Sequence, residues 1–189
     1  MPIVERPLLP AREKSFDMQI ELTQCLLREW QTADAAALIR HANNRRVWQN
    51  LRDRFPHPYT AADADRWLAV ADKYDPPRNF AIIVDGEAAG GISVELKDDV
   101  YRRSAEIGYW LGQPFWERGI ATEAVRAVVD YAFATFDLGR LYAGVFDWNP
   151  ASARVLEKAG FTLEGRLRNA VTKADRVGDE LIYALARTA

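Results

Sequence analysis

Gly119 stands between an apolar run and the most regular amphipathic stretch of the chain, in Trp110-Leu-Gly-Gln-Pro-Phe-Trp116-Glu117-Arg118-Gly119-Ile120-Ala121-Thr122. Backbone N–H groups at a helix start have no intrahelical acceptor, and the helix dipole places partial positive charge behind them. A glycine there lets an anion approach the backbone closely. Phosphate binding is the chemistry this spacing offers, although the same glycine also serves an ordinary turn. Neither GxxxxGKS/T nor GxGxxG is present, so the segment is not a Walker loop or a dinucleotide fingerprint. Cys25 is the only cysteine and His41 and His57 are the only histidines, which excludes a Cys/His zinc site and an intrachain disulfide. Both histidines lack a neighbouring carboxylate motif, and Cys25 lies in an apolar run as a small hydrophobe.

The elements that must position Gly119 follow from periodicity. Val125, Val128, Val129, Ala132, Phe133 and Phe136 form one stripe of a long helix after Gly119, and Phe133, Phe136 and, in an earlier helix, Trp67 read as core. Upstream, a strand is expected between Ile20 and Trp30, a short helix over Ala33–Arg40, and a second helical piece over Val47–Arg52. Thr60 caps a helix running to about Tyr74, which Asp75-Pro76-Pro77 ends. Strands over Phe80–Val84 and Gly91–Leu96 flank a turn at Asp85-Gly86, and another runs from Ala105 to Leu111. Leu141–Phe146 is a further strand, followed by a helix with Asn149 as N-cap, Pro150 at N1 and Gly160 as its left-handed stop. Alternation at Leu163 and Leu167, and at Leu181, Tyr183 and Leu185, gives a final antiparallel pair closed near Ala174-Asp175. The order β-α-α-α-β-β-β-α-β-α-β-β is that of a mixed α/β domain.

The 189 residues, 49% hydrophobic and 28% charged, suit a single domain over 18–189 behind an N-terminal arm at 1–17. A net charge of -2 gives non-specific nucleic-acid binding no global support. The start, MPIVERPLLPAREKSF, breaks its apolar stretch with charges and prolines, unlike a signal peptide. No window reaches the roughly 20 apolar residues of a membrane span. A soluble, cytoplasmic protein is expected, with a homodimer left open.

A second motif, Asn149-Pro-Ala-Ser152-Ala-Arg154-Val-Leu156-Glu157-Lys158-Ala-Gly160-Phe161, follows the next strand. Together the two segments resemble the GNAT superfamily of acyl-CoA-dependent N-acyltransferases. Trp116-x-x-Gly119-x-Ala121 fits that family's Q/R-x-x-G-x-G/A motif except at its first position. The second segment is similar to the NxxSxxxLEKxGF signature of the branch containing the ribosomal-protein acetyltransferases RimJ and RimL. Leu27-Arg28, Ala105-Glu-Ile-Gly-Tyr-Trp-Leu111, and Glu164-Gly-Arg-Leu-Arg168 with Asp179 extend the resemblance over about residues 20–186.

The resemblance implies a mostly antiparallel mixed sheet, splayed open at the cofactor site, with helices on both faces. Acetyl-CoA, or another short acyl-CoA, would sit between the strands ending at Leu111 and Phe146, and no metal is implied. Its pyrophosphate would rest on the amides of Arg118, Gly119, Ile120, Ala121 and Thr122, with Trp116 and Glu117 beside them. The pantetheine would pair with Tyr109, Trp110 and Leu111, and Asn149 would bond the same arm. Arg154 or Lys158 would reach the adenosine phosphates, unless they are solvated helix charges.

The implied reaction is attack of a neutral amine on a thioester by direct transfer in a ternary complex. An α-amine titrates near ~8 and a lysine amine near ~10.4, so the latter needs more help to lose its proton. Glu106 on the cofactor strand is the candidate base, its alternatives an exposed strand carboxylate or a water chain. Ser152 is the candidate acid for the thiolate and a cofactor contact, or else an N3 residue bonding its own backbone. The N–H of a strand residue such as Leu111 is the candidate oxyanion donor. Relatives carry a tyrosine four positions after that serine, where Leu156 stands here. Tyr109 reads as packing.

Trp48, Phe55, His57, Tyr59 and Trp148 are candidate walls of the acceptor pocket. Arg45, Arg46, Arg52 and Arg54 make the insert before Thr60 basic, which leans away from a polycationic acceptor. The acceptors considered are a protein N-terminus and a small amine of aminoglycoside or polyamine type. A succinyl donor is a further alternative, and a non-catalytic acyl-CoA sensor is the alternative of another class.

Overall fold

The computed structural model describes residues 18–187, so the arm expected over 1–17 lies outside the described residues. Strands β1 (Gln19–Glu21) and β2 (Leu26–Arg28) open the fold, followed by helices α1 (Ala35–Ala42), α2 (Arg45–Trp48) and α3 (Ala61–Ala71). Next come β3 (Asn79–Val84), β4 (Glu87–Leu96), β5 (Ser104–Leu111), α4 (Ile120–Thr135), β6 (Arg140–Phe146), α5 (Pro150–Lys158), β7 (Thr162–Lys173) and β8 (Arg176–Ala186). The sheet order is β1-β2-β3-β4-β5-β6-β8-β7.

Every pairing is antiparallel except β5 with β6. That parallel ladder holds only Ser104 to Arg140, Ala105 to Leu141 and Glu106 to Tyr142. Beyond it, β5 stays with β4 as far as Leu111 opposite Gly90, while β6 stays with β8 as far as Phe146 opposite Glu180. The sheet therefore forks at Glu106 and Tyr142. This is the splay that the resemblance implies.

Strand β3 is buried on both faces, and its alternation divides two cores. Phe80, Ile82 and Val84 join one core with α4 and α5, whereas Ala81 and Ile83 join a second core with Trp30, Leu38, Tyr59 and Ala64. Val125, Val128 and Ala132 of the α4 stripe are buried, but Phe133, Phe136 and Trp67 are only half-buried at the core margins. Arg28 grips the buried Asp34 through two nitrogens at 2.8 and 2.7 Å, tying β2 to the start of α1.

The helix caps stand at Thr60 and Asn149, as expected. Thr60 and Asp63 form a reciprocal capping box on α3, and the Thr60 bonds hold the Asp63 carboxyl below its ordinary range. Asn149 caps α5 with Pro150 behind it, and Gly160 follows in the left-handed region. Two expected elements differ. The single strand over Ile20–Trp30 is instead the β1–β2 hairpin, because the Thr23 and Gln24 amides turn out to meet the two Glu123 carboxylate oxygens, at 2.9 and 3.0 Å. The second helical piece is shifted to Arg45–Trp48, since the Asn44 side chain accepts from the Arg46 N–H and starts it early. Among the described residues, no helix is long and apolar enough to cross a membrane.

Candidate active site

The fork opens a cleft of about 1180 Å³ that runs from the α4 N-terminus, past both limbs, to the groove beneath α3. On β5, Ile107, Tyr109 and Leu111 face α4 and α5, while Glu106, Gly108 and Trp110 face α1–α3. The cleft thus has two sides. One is walled by helix starts and the other by the α2–α3 loop.

At the first side, Gly119 caps α4 with φ of 82°. A Cβ placed there would lie 3.1 Å from the Gln24 side-chain nitrogen and 3.9 Å from the rest of that amide. Glu117 is left-handed as well, at φ of 62°, so two left-handed residues bracket Arg118 just before α4. Arg118 is half-exposed, 3.7 Å from Asp85. Gly119, Ala121, Thr122, Asn149, Arg154 and Lys158 all line the cleft. Asn149 spends its side-chain oxygen on the Ser152 N–H, 3.2 Å away. Trp116 donates its indole N–H to the Leu111 carbonyl at 2.7 Å.

Tyr109 reaches across the open limb to α5. Its hydroxyl lies 2.8 Å from the Ser152 Oγ and 3.1 Å from the Ser152 carbonyl, so a single proton arrangement satisfies both groups. Burial pushes the Tyr109 hydroxyl well above its ordinary value, against a smaller opposing effect of Ser152. The hydroxyl stays protonated throughout the neutral range.

On the second side, Glu106 sits at the crotch of the fork with its carboxylate 12% exposed. Arg52, from the loop after α2, contacts Oε1, and the Lys97 ammonium lies 3.1 Å from Oε2. Lys97 also pairs with Glu95 at 3.2 Å, and its bonds to the two carboxylates raise its ammonium above the ordinary value despite burial. Phe55 and Tyr59 line the cleft, with Phe55 5.4 Å from the Trp110 ring. Trp48, His57 and Trp148 do not line it. Trp48 lies beneath Lys173 at 3.8 Å and beside His57, and Trp148 donates to the Gln49 carbonyl under Arg176. These three aromatics clamp the β7–β8 hairpin to the α2 region, a tertiary use that their sequence neighbourhood does not reveal.

Residues 24–162 match the acetyltransferase (GNAT) domain family. The chain belongs to the GNAT family. It is 30% identical over 147 residues to the spermidine N(1)-acetyltransferase of Escherichia coli K12, covering 75% of this chain and 74% of that one. With the ribosomal-protein-serine acetyltransferase of the same organism it shares 32% over 105 residues, 56% of this chain and 58% of the relative. Several other curated relatives are matched over about half of their length or less. The solved RimJ of Mycobacterium smegmatis, in complex with CoA-disulfide, superimposes with a TM-score of 0.73 at 26% identity over 86% of this chain and 81% of that one. The resemblance to the RimJ/RimL-like branch stands.

Within this GNAT fold, three contacts lie beyond what the sequence shows. Gln24 stands over Gly119, although 95 positions separate them, and only the β1–β2 hairpin brings it there. Glu180 folds its carboxylate over Gly144 of β6, where a Cβ would lie within 2.2 Å of it. The buried His41 pairs through Nε2 with Glu87 at 3.1 Å, a carboxylate 46 residues away that no local motif announces.

Proposed function

We propose that the chain is a single acyltransferase domain over 18–189 that transfers an acetyl group from acetyl-CoA to a primary amine by direct transfer. The observation that carries this reading is the fork, with an anion cradle at its open end and a carboxylate at its crotch. The residues fit CoA. A Cβ-free, left-handed Gly119 leaves a gap at the positive end of α4, and Arg154 and Lys158 flank it on α5. With the Leu111 carbonyl occupied by Trp116, the edge open to the pantetheine is that of Ile107 to Tyr109.

Acetyl-CoA, when bound, supplies the thioester carbonyl that the amine attacks. Glu106 accepts the proton that the amine nitrogen loses, once the amine has replaced Arg52 at Oε1. Ser152 gives its hydroxyl proton to the sulfur as the C–S bond breaks and takes one back from water in the open cleft in the same step, while Tyr109 holds that hydroxyl in place. Both groups face the fork from opposite sides of β5, so the two proton transfers occur at opposite ends of the reacting centre.

A protein N-terminal α-amine is the favoured acceptor. Residues of both α3 and β4 line the cleft, and the ribosomal-protein-serine acetyltransferase is a relative. The spermidine N(1)-acetyltransferase relative supports a small amine as the second reading. A cytoplasmic location accords with both.

The test is CoA release from acetyl-CoA with a panel of peptides and small amines. Turnover is expected, and Glu106→Gln should lower kcat by ~10²–10⁴-fold with CoA affinity held. CoA binding with no turnover on any amine would establish the sensor reading instead.

A further inference from the structure

We infer that Arg52 is a specificity-determining residue of this site, a charge placed to exclude acceptors that carry a second ammonium group. The inference rests on the acyltransfer reading.

Arg52 bridges the two limbs of the fork on its acceptor face. Its guanidinium contacts Glu106 on β5 and lies 3.9 Å from Glu180, which β8 carries over Gly144 of β6. The arginine is 47% exposed, against 12% and 19% for the two carboxylates. Burial lowers its affinity for a proton, yet Glu106, Glu180 and Glu95 together hold it above its ordinary value. The long side chain is therefore the movable member, and the carboxylates are the fixed ones.

Three carboxylates stand around the crotch, and each is neutralised from within the protein. Glu106 has Arg52 and Lys97, Glu95 has Lys97 and Arg54, and Glu180 has Arg52. An amine arriving as an ammonium ion exchanges with Arg52 at Glu106, one cation for another. Arg52 then remains beside Glu180. A second ammonium about 6 Å along the acceptor, as in a diamine, meets that guanidinium instead of a free carboxylate. Like charges in a half-buried site repel strongly, so a monoamine passes and a diamine does not.

The experiment compares n-butylamine with 1,4-diaminobutane, which differ by one ammonium group, as substrates or as competitors of an acceptor that turns over. In the wild type the diamine should bind or react more weakly than the monoamine, because its second ammonium meets Arg52. Arg52→Gln should lower the KM or KI of the diamine about tenfold relative to the monoamine, because Glu180 becomes free for a charge-assisted bond. Arg52→Lys should keep the wild-type ratio, and Arg52→Gln with Glu180→Gln should restore it. An unchanged ratio in Arg52→Gln overturns the inference, as does a gain that survives loss of Glu180. If the wild type turns over no amine, the acyltransfer reading fails. The binding ratio, read by calorimetry on the CoA-bound proteins, then still decides the role of Arg52.

Discussion

Tyr109 on β5 and Ser152 on α5 meet hydroxyl to hydroxyl at 2.8 Å, beyond the point where β5 and β6 part. The Tyr109 hydroxyl also donates to the Ser152 carbonyl at 3.1 Å, so the serine proton is free to lie between the two oxygens or to turn into the fork. Burial keeps the tyrosine from ionising, which makes it a fixed donor and leaves Ser152 as the group that can move a proton. Ser152→Ala should lower kcat by about 10²-fold while the KM for acetyl-CoA stays within about threefold. Tyr109→Phe should cost less, since Ser152 retains its proton and loses only its anchor. Equal rates in Ser152→Ala and the wild type would remove the serine from the chemistry.

Gly119 makes a separate prediction about binding. Its φ of 82° costs a residue with a Cβ about 1–2 kcal/mol, and a β-branched one more. The Cβ itself meets only the end of the Gln24 side chain, which can swing aside. Gly119→Val should therefore stay folded with a melting temperature lower by several degrees, and CoA affinity should fall at least tenfold. Calorimetric titration with CoA, alongside thermal unfolding, separates the two effects. Unchanged affinity in the folded variant would move the pyrophosphate elsewhere.

What could be read in the sequence is what local chemistry determines. Gly119, the Thr60 cap, Asn149-Pro150 and Gly160 each act within one turn of themselves, and all four stand where expected. The α4 stripe is legible for the same reason, since a helix repeats its own neighbours. The β1–β2 turn is not, because its amides are satisfied by Glu123, 99 and 100 residues away. The same limit hides the partners of Glu106. The sequence placed that carboxylate on the right strand but could not show that Arg52 and Lys97 hold both of its oxygens. Trp148 and Trp48 were legible as aromatics near the fork in sequence, yet they pack outside it, because the β7–β8 hairpin supplies cations that take their faces.

Cys25 provides the last prediction, and it bears on whether the transfer is direct. The thiol is 7% exposed in the turn into β2, against α4. Burial first, and the Glu123 carboxylate second, push it up to about 11 from an ordinary 9.0. A thiolate is thus disfavoured in the fold more than in the unfolded chain. The stability this lends is fully present below about pH 9 and is lost as the pH rises through about 11. Urea unfolding of the wild type and Cys25→Ala should show the wild type losing stability relative to the variant between those two values. At neutral pH the folded thiol should alkylate slowly, because the nucleophile is the thiolate. Cys25→Ala should keep most of the activity, since a buried protonated thiol cannot attack a thioester at a useful rate. An acetyl group found on Cys25 by mass spectrometry, after incubation with acetyl-CoA and no acceptor, would replace direct transfer with a two-step route through the cysteine.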